Sequence, residues 1–193
     1  MAEPGFERRP QASFGWRGDS WLDVGGSALP QHPRASITLA PQMQRWIFRG
    51  DAEAARVCGS AFGADLPQTA CRASDSGGRA ALWLGPDEWL LLCGEDTAFG
   101  QSQIAPAHSL VDISHRQLGI DISGEAAAQI LSTRIILDLD AQAFPAGACT
   151  RTVFGKSEVV LWRKGDHRFQ IEVWRSFAGY VTGLLMEAAR DTR

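Results

Sequence analysis

Seven consecutive residues, 111–117, bring together side-chain types from which many enzyme sites are built. They read Val-Asp-Ile-Ser-His-Arg-Gln and offer a carboxylate, a hydroxyl, an imidazole, a guanidinium and an amide. Asp112 and His115 are the candidate acid/base groups. Ser114 and His115 do not form a nucleophile–base dyad, because neighbours on an extended chain point to opposite faces. The alternative is a turn in which Asp112 or Ser114 binds local backbone and Arg116 forms an ion pair, which is the commoner use of such residues.

Two further arginines, Arg151 and Arg175, flank predicted strands. A guanidinium at such a position could bind a carboxylate through two parallel hydrogen bonds. Ion pairs at a surface or an interface are the more frequent role of exposed arginines. The adjacent acids Asp87 and Glu88 lie in a predicted turn, and a solvated turn is favoured there because neighbours rarely converge on one substrate atom.

Other catalytic and metal-binding signatures are absent from the sequence. It contains no Gly-x-Ser-x-Gly, His-Glu-x-x-His, Gly-x-Gly-x-x-Gly or Walker motif. The four cysteines form no Cys-x-x-Cys pair and none lies near a histidine, so a zinc site is not indicated; they are Cys58, Cys71, Cys93 and Cys149. Scattered cysteines without a secretory signal predict a reducing cytoplasm.

Apolar periodicity predicts the elements that must position these side chains. The predicted strands are 35–39, 80–84, 89–92, 109–114, 117–123, 150–154, 158–162 and 169–174. The predicted helices are 51–63 with Gly63 as its C-cap, 124–131 with Ser123 as its N-cap, and 177–190. Hairpins interspersed with helices favour an α+β fold over a doubly wound sheet. We expect two related lobes of antiparallel sheet with packed helices, at 35–108 and 109–193, after an irregular arm at 1–34.

Composition limits the classes of function. The 193 residues are 45% hydrophobic, which suffices for one sizeable domain or two small lobes with a shared core. The net charge is −3 and no basic stripe is visible, so nucleic acid binding is not supported. No apolar run is long enough to span a membrane. Of seven tryptophans, Trp16 and Trp21 lie outside any periodic element, and both core packing and a protein interface remain open for them.

The second half of the chain resembles a known family. The segments Val111–His115 and Leu118–Gly124, with the helix that follows, are similar to the opening lobe of aminomethyltransferase-type, folate-binding proteins. More narrowly, the chain resembles the γ subunits of heterotetrameric sarcosine oxidases. The segments that carry this resemblance occur in the family's order and cover about Leu82 to Arg190; they are 83–92, 111–117, 137–140, 144–152 and 175–180.

The resemblance implies a subunit without a cofactor of its own. Such a complex demethylates sarcosine to glycine, formaldehyde or methylenetetrahydrofolate, and hydrogen peroxide. Its α subunit carries NAD and a tetrahydrofolate domain, its β subunit carries FAD, FMN lies between α and β, and δ holds zinc. On this reading Asp112, His115, Arg116, Arg151 and Arg175 organise the lobe junction or a subunit contact, as do Trp16 and Trp21. The alternatives are a stand-alone folate-binding protein and a metal or thiol protein.

Overall fold

A computed structural model describes residues 32–97, 99 and 104–192. The strands in this part of the chain are β1 (Ser36–Leu39), β2 (Met43–Gly50), β3 (Ala73–Ser76), β4 (Arg79–Gly85), β5 (Glu88–Gly94), β6 (His108–Asp112), β7 (Gln117–Ser123), β8 (Cys149–Phe154), β9 (Ser157–Gly165) and β10 (Arg168–Trp174). The helices are α1 (Ala52–Phe62), α2 (Ala127–Ser132) and α3 (Ala178–Asp191), and a 3-10 turn at Arg175–Phe177 precedes α3. The α+β prediction is confirmed.

The strands form two five-stranded antiparallel sheets. The first sheet has the order β3-β4-β5-β2-β6 and the second has the order β1-β7-β10-β9-β8. Each sheet takes an edge strand from the other half of the chain, because β1 pairs with β7 and β6 pairs with β2. The division at 35–108 and 109–193 stays a prediction. Below, the first lobe is the first sheet with α1, and the second lobe is the second sheet with α2 and α3.

The sheets stack between helices. Helix α1 buries Cys58 and Phe62 against Phe48 and Trp89 on the outer face of the first sheet. Helices α2 and α3 cover the outer face of the second sheet in a separate apolar cluster. A third cluster joins the inner faces, where Leu90 of the first sheet belongs to the same group as other buried residues from both sheets; these are Ala80, Leu82, Leu92, Ile113, Cys149, Val160 and Trp162. The inner faces are therefore a lobe junction and not a solvent surface.

The local signals in the sequence predicted these elements well. Asp51 caps α1 by accepting a hydrogen bond from the backbone of Ala54 at 2.8 Å, and Gly63 ends that helix in the left-handed conformation with φ of 81°. Both predicted hairpins form, and β7 has the predicted bounds. These predictions are confirmed. Each concerns a cap, a turn or a strand whose signal lies in residues close together in sequence.

Two strands were not predicted. The sequence pattern predicts no element at β2 and a connection at β3, yet β2 lies between β5 and β6 inside its sheet. Strand β2 carries Arg45, which is only 3% exposed. A buried arginine interrupts the apolar pattern that marks a strand, and its position is explained only by a partner far along the chain, described below.

The predicted start of α2 was wrong. Ser123 remains in β7 and α2 begins three residues after Gly124, with Ala126 as an N-cap that makes no side-chain hydrogen bond. The backbone of Arg34, just before β1, occupies this space: its carbonyl accepts a hydrogen bond from the Ala126 amide at 3.2 Å. Gly124 has φ of 114°, a conformation that favours glycine.

Candidate functional site

The candidate acid/base segment forms a tight turn between β6 and β7. Asp112 Oδ1 accepts hydrogen bonds from the Ser114 amide at 2.8 Å and from the Ser114 hydroxyl at 2.5 Å. Ser114 Oγ in turn accepts from the Arg45 amide at 2.9 Å, which joins the turn to β2. Among the described residues, no hydrogen bond or ion pair links Asp112 to His115. The hydrogen bonds at Asp112 are those of the turn interpretation.

The remaining side chains of this segment lie beside the end of β10. Arg175 donates from its backbone to the Arg116 carbonyl at 2.7 Å and from Nε to the His115 carbonyl at 3.1 Å. The Arg116 guanidinium stacks on the Trp174 ring, 4.7 Å from its centroid. Trp174 is 40% exposed and Phe177 is 46% exposed. These five residues are called the arginine–tryptophan patch.

Arg151 lies between the lobes. From β8 in the second sheet, it donates to Glu88 Oε1 at the start of β5 in the first sheet, over 2.7 Å. A second carboxylate, that of Glu158, is 3.9 Å away. The Arg151 and Glu88 side chains are 38% and 20% exposed. We therefore expect this ion pair to contribute more to stability than a fully exposed one.

A buried ion pair at the lobe junction was missed by the sequence analysis. Arg45 Nε donates to Glu172 Oε2 at 2.6 Å, and another guanidinium nitrogen donates to Oε1 at 3.2 Å. Both side chains are at most 4% exposed. Gln170 also donates to Glu172 at 2.6 Å and accepts from Lys164, which reaches Asp121 at 3.3 Å. A chain of polar groups therefore runs from the buried centre of the junction to its rim.

The sequence signal for this ion pair is ambiguous, because the polar residues of β10 fit a solvated strand face equally well. Strand β10 alternates polar and apolar residues, a pattern typical of one solvated face. Its polar residues Gln170 and Glu172 are instead 1% exposed, because the first sheet covers them. A buried glutamate requires a cation, and Arg45 supplies it from 127 residues away. The periodicity of one sequence does not reveal that Arg45 and Glu172 lie together.

The three buried cysteines are poor candidates for a reactive centre at neutral pH. Burial raises the pKa of the Cys58 and Cys149 thiols from 9.0 to about 12, and burial also raises the pKa of Cys93. A protonated thiol is a poor nucleophile and a poor metal ligand. Cys71 is exposed, and all four cysteines are free thiols.

An open groove of about 470 Å³ lies over α2 and the loop that follows it. Acidic side chains line it, among them Glu125, Asp138 and Asp140. Arg163 also borders the groove, but its donors are occupied by backbone carbonyls, including that of Phe144 at 2.8 Å. Among the described residues that line this groove, none has a buried polar side-chain atom without a hydrogen-bond partner.

Two of the candidate contact residues, Trp16 and Trp21, lie outside the described residues.

Of the helices that the structure describes, none has the length and apolar character needed to cross a bilayer.

The chain is similar to proteins of one known family. Residues 49–191 match the model of the sarcosine oxidase, gamma subunit family. The sarcosine oxidase subunit gamma of Corynebacterium sp. (strain U-96) is 33% identical over 138 residues, which are 68% of this chain and 67% of the relative.

Two solved structures share the fold. A chain of the heterotetrameric sarcosine oxidase from Corynebacterium sp. U-96, in complex with pyrrole 2-carboxylate, has a TM-score of 0.75 at 22% identity, covering 84% of this chain and 87% of that one. The glycine cleavage system aminomethyltransferase T from Bartonella henselae has a TM-score of 0.59 at 15% identity, covering 82% of this chain and 49% of that one. At these identities the likeness establishes the fold alone.

Proposed function

Because the chain belongs to the sarcosine oxidase, gamma subunit family, we propose that it is the non-catalytic γ subunit of a heterotetrameric sarcosine oxidase. The observation that carries the proposal is the family match over residues 49–191, which include most of both sheets. The complex would oxidise sarcosine to glycine with release of formaldehyde, or of methylenetetrahydrofolate, and hydrogen peroxide. We further propose that α, β and δ subunits are its partners in the cytoplasm and that they carry the FAD, FMN, NAD, zinc and tetrahydrofolate sites.

The geometry supports a role in assembly. The Asp112 carboxylate is engaged by Ser114, the buried Arg45 and Glu172 neutralise each other, and three of four thiols are buried. Acid/base catalysis needs a titrating group within reach of the proton that it moves. The Arg45–Glu172 pair and the buried thiols are shielded from solvent, and the exposed Asp112 already uses Oδ1 within its own turn. The same groups connect strands and lobes, which is what a scaffold requires.

The individual contact residues are also proposals. Asp112 and Arg151 would hold the lobe junction, the first through its turn and the second through its pair with Glu88. His115, Arg116 and Arg175 would serve a subunit contact, because they are exposed. Trp16 and Trp21 are assigned to the same role from sequence alone.

The proposal is tested by mild affinity purification of the tagged chain from its native host, followed by an absorbance spectrum and subunit masses. We expect yellow material that contains three further chains, one of them much larger than this chain. A colourless chain without partners, isolated from cells that oxidise sarcosine, would contradict the proposal.

A stand-alone folate-binding protein is the alternative that the sequence left open. The likeness to aminomethyltransferase T supports a shared fold, but about half of that protein has no counterpart in this chain. Calorimetric titration of the purified chain with tetrahydrofolate separates the two. We expect no binding heat at high micromolar ligand, and a saturable heat would favour the alternative.

A further inference from the structure

We propose that the arginine–tryptophan patch docks a carboxylate-bearing segment of a larger, flavin-carrying subunit. This inference rests on the proposed function and specifies the chemistry of the partner. The patch consists of His115, Arg116, Trp174, Arg175 and Phe177, all of which are exposed. Segments 60 residues apart form it, and two hydrogen bonds from Arg175 hold them together.

The patch presents preorganised cations. Stacking on Trp174 fixes the Arg116 side chain, and the hydrogen bond from Nε to the His115 carbonyl orients Arg175. Their guanidinium groups make no ion pair with a carboxylate among residues 32–97, 99 and 104–192. A planar guanidinium held in place loses little conformational entropy when it binds a carboxylate through two hydrogen bonds.

Lack of an ion pair among the described residues is shared by some other surface arginines, such as Arg56, but several do pair with acids of this chain. Arg34, Arg49 and Arg134 are also at the surface, and each pairs with an acidic side chain of this chain. Along the sequence the nearest acids are Glu172, which is buried and paired with Arg45, and Asp112, whose Oδ1 is occupied by Ser114. Within the described part of the chain, no acidic side chain therefore neutralises the patch, although the chain is acidic overall with a net charge of −3.

The aromatic residues indicate a protein partner. Trp174 and Phe177 rank among the exposed large hydrophobic side chains of the described residues. Tryptophan, phenylalanine and arginine are enriched at protein interfaces, where an apolar centre surrounded by polar groups is usual. A partner segment with one apolar side chain between Asp or Glu residues would cover the two rings and pair with both arginines.

The experiment compares variants within the co-expressed complex. The charge-reversal pair Arg116→Glu and Arg175→Glu is purified with its flavin-carrying partners, and Arg56→Glu serves as the matched control. Arg56 is an exposed arginine on α1, in the other lobe, without an ion pair among the described residues. We expect the charge-reversed chain to bind at least about tenfold more weakly than wild type, and the control to bind within about twofold of wild type.

Three outcomes have distinct meanings. Wild-type affinity of the charge-reversed chain would overturn the inference and leave the proposed function intact. Absence of any complex with the wild-type chain would defeat the proposed function itself. Sedimentation showing that the isolated chain dimerises through the patch would assign the patch to a second copy of the chain and overturn the inference.

Loss of folding is controlled separately. Thermal melting by circular dichroism is compared between wild type and the charge-reversed chain. Where the melting temperature falls, the milder pair Arg116→Gln and Arg175→Gln is used. For this pair we expect weaker binding that depends less steeply on sodium chloride concentration than wild-type binding does. An unchanged salt dependence would overturn the inference.

Discussion

The two lobes share one strand order, although the second carries the additional helix α3, and their chemistry differs where they meet. Each runs strand, helix and three further strands, and each sheet has the same order, with the exchanged strands β6 and β1 at equivalent edges. Even the turns Gly85–Glu88 and Gly165–Arg168 match, since a register irregularity accompanies both. Equivalent positions can therefore be counted from these turns and from the registers.

The central difference lies at two pairs of equivalent positions. Arg45 in the first lobe corresponds to Gly119 in the second, and Leu92 corresponds to Glu172. Four equivalent positions thus hold one cation, one anion, one leucine and one residue without a side chain. Arg45 and Glu172 form a fully buried ion pair between the lobes, and the equivalent residues Gly119 and Leu92 carry no charge with which to form its symmetric counterpart. We infer that this asymmetry determines how two similar sheets stack, because a buried charge tolerates only the arrangement that neutralises it.

A second difference concerns the backbone. Cys71 with φ of 58° corresponds to Gly147 with φ of 80°. The contacts are reciprocal, since the Cys149 amide donates to the Cys71 carbonyl at 3.0 Å and the Ala73 amide donates to the Gly147 carbonyl at 2.8 Å. The lobes therefore share a left-handed residue at this contact, but only one of them has the residue type that adopts it without strain.

Replacing one member of the ion pair should have the largest effect. Glu172→Leu introduces the residue found at the equivalent Leu92, but it leaves Arg45 buried without a partner. We expect a loss of about 3–5 kcal/mol in the free energy of unfolding, measured by urea denaturation. The double change with Arg45→Leu should recover most of that loss.

The control for this prediction is another ion pair on β2. Arg49 and Asp87 are both more than half exposed, so Asp87→Ala should cost about 0–1 kcal/mol. Equal costs for Glu172→Leu and Asp87→Ala would show that the buried pair has no special role in the junction.

Gly119→Ala should have the next largest effect. A Cβ at this position would lie 2.7 Å from Glu172 Oε1, 2.7 Å from Ala40 Cβ and 3.1 Å from an Arg45 guanidinium nitrogen. We expect a loss of about 1–3 kcal/mol in the free energy of unfolding from overpacking. Gly183→Ala in α3 is the control, because a Cβ there meets nothing within 4 Å and alanine favours a helix. Stabilisation by both changes would contradict the crowded junction.

Exchanging the left-handed residues should have a smaller effect. Cys71→Gly should raise the free energy of unfolding by about 0.5–1 kcal/mol, because relief of strain exceeds the added flexibility of the unfolded chain. Gly147→Ala should lower it by about 1 kcal/mol for the opposite reason, since no atom crowds that position within 3.4 Å. Thermal melting of both variants provides the measurement, and a destabilising Cys71→Gly would argue against strain at this site.

The buried thiols should affect stability only in alkali. The folded-state pKa of Cys58 and Cys149 is raised from 9.0 to about 12, so their contribution is complete below about pH 9 and is lost as the pH rises towards 12. Urea denaturation across this range should show the decline, and Cys58→Ala should reduce its steepness. Titration with a thiol reagent at pH 8 should modify Cys71 rapidly in the native protein and all four thiols in urea.

The sequence predicted what depends on neighbouring residues. Gly63 ends α1, the turn at 85–88 joins two apolar strands, and Asp112 binds within its own turn, all as local chemistry indicates. Long-range pairing was not predictable in the same way. Arg45 obscured β2 because its partner Glu172 is distant in the chain, and neither hairpin signals nor periodicity reveals that β1 and β6 exchange sheets.

The candidate site shows the same limit. The segment 111–117 was recognised by its composition, and Arg175 was noted beside a strand. That Arg175 binds the backbone of His115, and that Arg116 stacks on Trp174, follows only from the fold. Local patterns alone do not predict the family of the chain. The resemblance predicted it because several short segments occur in the family's order.

We propose that this chain contributes assembly and not chemistry to an amine-oxidising complex. The most direct measurement is sarcosine turnover per flavin in a complex that carries Asp112→Asn and His115→Gln, with subunit composition and flavin content checked alongside. The asparagine keeps an oxygen that can accept the hydrogen bond from the Ser114 amide, so we expect the turn to form. We predict turnover equal to that of wild type. Loss of turnover in a fully assembled, flavin-replete complex would contradict the claim and assign these residues to catalysis.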